Sequence, residues 1–101
     1  MNPVVLRAYL TRSTAPVTYA QVMRDLAAPS IKAVTQALEL LMNEDAEAGR
    51  PFLAALVVSR THPLPARGFF DHARSLGRLI DDDAGFHRAE LAALGKPAPL
   101  P

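Results

Sequence analysis

Between Ser30 and Gly49 the chain carries one unbroken helical pattern that is apolar over more than half its circumference. At about 100° per residue, Ile31, Val34, Leu38 and Leu41 fall on one side. Ala33, Ala37 and Leu40 widen that arc, and Lys32, Gln36, Glu39 and Asn43 form the one wet strip. A helix wetted along a single strip is surrounded by the rest of its domain. The remaining elements are therefore expected to pack around residues 31–46.

Caps and prolines mark those elements. Asn2-Pro3 is a helix start, an N-cap followed by a proline whose missing N–H costs nothing there. The short helix it opens is expected to end near Ser13. Thr18 and Gln21 have capping-box spacing, with Val17 and Val22 placed as a hydrophobic staple. Tyr19, Val22, Met23 and Leu26 then make an inward stripe. Ala27-Ala28-Pro29 ends this second helix, and Ser30 caps the third. Phe52 to Arg60 is short, apolar and β-branched at its end, which favours a largely buried strand, although Leu53-Ala54-Ala55-Leu56 also fits a helix. Pro63 and Pro65 then enforce a loop or hairpin tip. Two short helices follow, about 70–77 and 84–94, with Gly77 and Gly95 as stops and Asp81-Asp82-Asp83 as the cap of the second. Residues 96–101 read as an extended proline-rich tail.

With 101 residues one domain is expected, over residues 1–95, and a core of that size needs no staple. The absence of cysteine excludes disulfides, thiolate metal sites and thiol nucleophiles. No apolar run approaches 18 residues and no basic leader precedes the first apolar stretch, so a cytoplasmic protein without membrane contact is expected. The net charge of +1 hides alternation: residues 1–37, 38–50, 51–78 and 79–101 carry +3, −3, +3 and −2.

Three helices, a tight turn between the second and third, then a strand and a proline-bearing loop resemble the winged helix-turn-helix. Val17 to Val22, Ser30 to Leu38 and, as the wing, Phe52 to Arg67 carry the resemblance, which spans residues 3–70. The expected fold is thus α+β and mostly helical: a winged-helix-like three-helix core with a short β-hairpin or strand and two C-terminal helices. The same stretches are similar to the DNA-binding domain of alkyltransferases, but the reactive Pro-Cys-His-Arg of that family is absent, which excludes alkyl transfer. Arg50 to Leu53 through Gly68 to Phe70 also resembles a stretch of small bacterial proteins to which no activity attaches.

What the winged-helix resemblance implies is duplex DNA binding. Lys32, Thr35 and Gln36 would enter a major groove, where Gln pairs with adenine and Lys reaches guanine or phosphate. Arg60 and Arg67, with His62 beside them, would hold the backbone. The acidic second half of the third helix favours the alternative, a protein-interaction module on the same scaffold. Leu40 and Phe70 are its candidate partner surface, for a homodimer or another polypeptide. Arg74 and Arg78 either join Arg60 and Arg67 in a basic patch or pair with nearby acids. Asp83, His87 and Glu90 have helical spacing that invites a metal, yet a cap at the positive helix end is the simpler reading. No phosphate loop or nucleophile elbow is present. Asp71, His72 and Ser75 lie too close in sequence to converge as a triad. A non-enzymatic regulatory protein without a cofactor is the expectation.

Overall fold

The computed structural model describes residues 1–97. Its order is α1 (Pro3–Arg12), β1 (Val17–Thr18), α2 (Tyr19–Asp25), α3 (Ile31–Glu47), a 3-10 turn (Leu53–Leu56), β2 (Val57–Val58), α4 (Arg67–Ser75) and α5 (Asp83–Ala93). The fold is α+β and mostly helical, five helices and one two-stranded sheet among the described residues. The expected tail lies largely outside them, at residues 98–101.

Local chemistry sets the helix starts. Asn2 Oδ1 accepts from the Val4 N–H at 2.8 Å. Thr18 and Gln21 close the reciprocal capping box, at 3.1 and 2.8 Å. Ser30 accepts from Ala33 N–H and Asp82 from Gly85 N–H. Each cap satisfies a donor that the first turn would otherwise leave bare. Gly85 is small for a reason: a Cβ there would sit 2.7 Å from the capping oxygen of Asp82. Gly77 ends α4 in the left-handed region, φ 93°, where a side chain would be strained.

α3 is the spine. Its Val34, Ala37, Leu38, Leu41 and Met42 are buried and meet Leu6 and Leu10 of α1, Val22 of α2 and the apolar segment 52–57. Ile31, expected inside, is 44% exposed at the helix start and stays outside the core cluster.

The largest departure from expectation is at residues 52–67. In place of the favoured long strand, Leu53–Leu56 takes the helical alternative as a 3-10 turn, only Val57–Val58 are strand, and no hairpin wing forms among the described residues. β2 pairs in parallel with β1, Val17 opposite Val57 and Thr18 opposite Val58. Every residue from Phe52 to Val58 is buried, so the segment runs through the middle of the molecule. An apolar run looks the same whether it is pleated or coiled, because burial on all sides erases periodicity.

Lys96 departs from expectation too. Its Nζ donates to Ser13 O at 2.6 Å and Thr11 O at 3.3 Å, so the tail begins by capping the C-terminal end of α1.

Candidate functional site

The wet strip of α3 is only half free. α4 has a buried apolar face, Phe69, Phe70 and Ala73. Burying that face lays α4 beside α3, with Phe69 sharing a cavity wall with Leu38 and Met42. The packing brings His72 to the strip: its Nε2 lies 2.7 Å from Asn43 Oδ1 and its Nδ1 3.9 Å from Glu39. Glu39 and Asn43 are therefore engaged by the protein itself. Lys32 and Gln36, one to two turns earlier, remain exposed.

Thr35 borders a cavity of about 30 Å³ with Tyr19, Glu39, Ala66 and Gly68. That is room for about one water molecule. The Thr35 hydroxyl donates back to Ile31 O at 3.1 Å, which leaves its lone pairs to a ligand but ties its proton down. Arg67 lies between Ala66 and Gly68, so the first turns of α3 and the start of α4 share one edge of the molecule. The Tyr19 hydroxyl pins that edge by accepting from Ala66 N–H at 2.9 Å, and burial pushes its phenol pKa up.

The cations sort into two groups. Arg74 pairs with Asp83 at 2.9 Å and with Asp71 at 3.7 Å. Arg78 sits 4.2 Å above the Phe52 ring, donates to Arg50 O at 3.1 Å and lies 3.5 Å from Glu90. Both are spent inside the protein, and the four-arginine patch does not form. Lys32 and Arg60 make no ion pair among the described residues, and Arg67, with its side chain 93% exposed, has only Asp71 at 3.7 Å.

Phe70 is corrected. It is 2% exposed, in edge contact with Phe69 at 5.1 Å between ring centres, and cannot serve as a partner surface. A pair of adjacent aromatics cannot both face inward on a strand, but at a helix start both fit a wide apolar face. Leu40 is 51% exposed and does belong to the surface.

Sequence reasoning missed the polar residues that organise the interior. Asp45, read as part of an acidic surface run, is 1% exposed. One carboxylate oxygen meets Arg7 at 3.0 Å and Arg50 at 3.1 Å, and the other accepts from Leu53 N–H at 3.1 Å. Glu90 likewise accepts from Phe52 N–H at 2.9 Å. These two acids occupy backbone donors at the start of the buried segment, where neither helix nor sheet supplies acceptors. The helical wheel held a signal, since Asp45 falls at the angle of Val34, Leu38 and Leu41.

His87, a candidate metal ligand by spacing, points inward instead. Its Nε2–H donates to Ala55 O at 2.8 Å, which fixes the tautomer. Burial is the larger influence and lowers its pKa below the ordinary 6.5, against the opposing bond to Ala55. The unfolded chain therefore takes up the proton first. Stability is full above about pH 6.5 and declines as pH falls toward the folded-state pKa. Urea midpoints measured between pH 7.5 and 5.5 should fall for the wild type. They should stay nearly level for His87→Gln, which keeps a donor without the titration. Parallel curves for the two proteins would exclude His87 as the cause.

Among the described residues no helix is long and apolar enough to cross a membrane. No protein-family model, curated protein or solved structure matches the chain.

Proposed function

We propose that the chain binds duplex DNA in the manner of a winged helix whose wing has shrunk to a loop. Lys32, Thr35 and Gln36 face the major groove, and Arg60 and Arg67 hold phosphates. One observation carries the reading: Thr35 of α3 shares a cavity wall with Ala66 and Gly68, the residues on either side of the exposed Arg67. Lys32 and Arg60 make no ion pair among the described residues, while of the acids nearby Glu39 faces His72 at 3.9 Å and Asp71 lies 3.7 Å from Arg67. The engaged Glu39 and Asn43 limit entry to the N-terminal half of α3, which is the half a recognition helix uses.

Filter binding at two salt concentrations tests this. Duplex retention should fall as salt rises, and Arg60→Ala with Arg67→Ala together should reduce the log-affinity against log-salt slope by about 2. Gln36→Ala should flatten sequence preference while leaving that slope unchanged. Absence of retention at low salt, or a slope indifferent to both arginines, refutes the reading.

Leu40 supports a second reading. It is half exposed at the border between the apolar arc and the wet strip, one turn after the exposed Gln36, an apolar spot with polar neighbours suited to a polypeptide partner or a second copy. Leu40→Glu separates the two: it abolishes association with a polypeptide but leaves salt-dependent duplex retention in place.

A further inference from the structure

The loop of residues 59–66, the first residues of α4 and Asp83 line a cleft of about 360 Å³ that opens widely to solvent. We propose that this cleft binds a small phosphorylated ligand of mononucleotide size, with Arg67, His62 and Ser59 holding the phosphate and the ligand's ring lying on Leu64. The cleft volume stands at the lower end of ligand pockets, which run from about 300 to 1,000 Å³.

Three observations converge there. First, the donors are unspent. Ser59 uses its backbone N–H on Leu64 O at 2.8 Å, but its hydroxyl and the His62 ring have no hydrogen-bond partner among the described residues, and Arg67 has only a loose contact to Asp71. This contrasts with Arg7, Arg50, Arg74 and Arg78, all bound within the protein. Second, the lining is divided. The same cleft is bordered by the part-exposed Leu64, with the buried Pro65 and Phe70 behind it, an apolar side suited to an aromatic or aliphatic body rather than to a free inorganic ion. Third, the frame is held before any ligand arrives. The Ser59 bond closes the loop at its base, Leu64 N–H donates to His62 O at 2.7 Å, and Tyr19 fixes Ala66. A site ordered in advance loses less entropy on binding.

The single acid at the rim fits the same ligand. Asp83 gives one oxygen to Arg74 at 2.9 Å, which compensates its charge against an incoming anion. Its other oxygen is available to accept from a ligand hydroxyl or amine. Ser59, His62 and Arg67 all border the cleft, and the Arg67 guanidinium fork can make a paired phosphate contact that an ammonium could not.

This site and the DNA edge share Arg67, yet the two can fail separately. The test is a calorimetric titration of the full chain with adenosine 5′-monophosphate, adenosine, inorganic phosphate and a short duplex, with the His62 ring resonance followed in parallel. The monophosphate should bind at least ten times more tightly than either phosphate or adenosine and shift the His62 resonance. Arg67→Ala and His62→Gln, both at exposed positions, should each weaken it about tenfold, and unchanged circular dichroism shows that the fold survives. Lys32→Ala should weaken the duplex and leave the monophosphate unaffected. Inorganic phosphate binding as tightly as the monophosphate, or affinity indifferent to Arg67 and His62, overturns the proposal. Duplex retention without monophosphate binding overturns it while sparing the DNA reading, and the reverse result rejects only the latter.

Discussion

Replacing Asp45 with alanine should remove about 3 kcal/mol of stability, the lower end of the range for deleting one member of a buried ion pair. The lower end applies because Arg7 and Arg50 are partly exposed and can regain water. Arg7 also keeps Glu44 at 3.1 Å and Leu41 O at 3.4 Å. The buried Leu53 N–H has no such recourse and stays unpaired. Asp45→Asn restores a neutral acceptor for Leu53 but weakens both arginine contacts, so its cost should be about half as large. In a domain of this size 3 kcal/mol lowers the melting temperature by on the order of 15 °C. Urea unfolding of the two variants ranks them. Equal losses would mean that the charge alone matters and that the Leu53 bond contributes nothing.

Truncation of Phe52 should cost slightly more, about 4 kcal/mol for Phe52→Ala. Its ring is fully buried and meets Phe69 edge-on at 6.0 Å and Phe86 at 6.4 Å between centres. It also forms the platform under Arg78. Loss of the ring opens a void and strips a half-buried guanidinium of its apolar face together. Phe52→Leu fills most of the void but offers no π-face, and should cost about 2 kcal/mol. A double-mutant cycle with Arg78→Met isolates the cation–ring contact, expected at about 1 kcal/mol. A coupling energy of zero would reduce Arg78 to a partner of Glu90 and of the Arg50 carbonyl.

Those two residues also show where sequence reasoning stopped. Asn2, Thr18, Ser30 and Asp82 were legible as caps because each bonds to a backbone N–H two or three residues away. The central role of α3 was legible from its wide apolar arc. Asp45, His87 and Glu90 were not, because their partners lie 8, 32 and 38 residues distant along the chain. A charge pattern read locally assigns such residues to water. The 52–58 segment escaped for the opposite reason, since its conformation is imposed by surroundings that α1, α3 and α5 supply. In the candidate site Lys32, Gln36 and Arg67 stand exposed where the strip and loop suggested. The approach of α4, which engages Glu39 and Asn43, depends on the burial of Phe69 and Phe70, and no local signal reports that.

The parallel register of β1 and β2 makes the sheet depend on the helices. Val17 and Val57 are separated along the chain by α2 and α3, so two ladder rungs must close a loop of about forty residues, at an entropic cost. Two rungs alone contribute too little to hold such a loop closed, so the sheet is expected to persist only while the docked helices keep its strands side by side, a fastener rather than a nucleus.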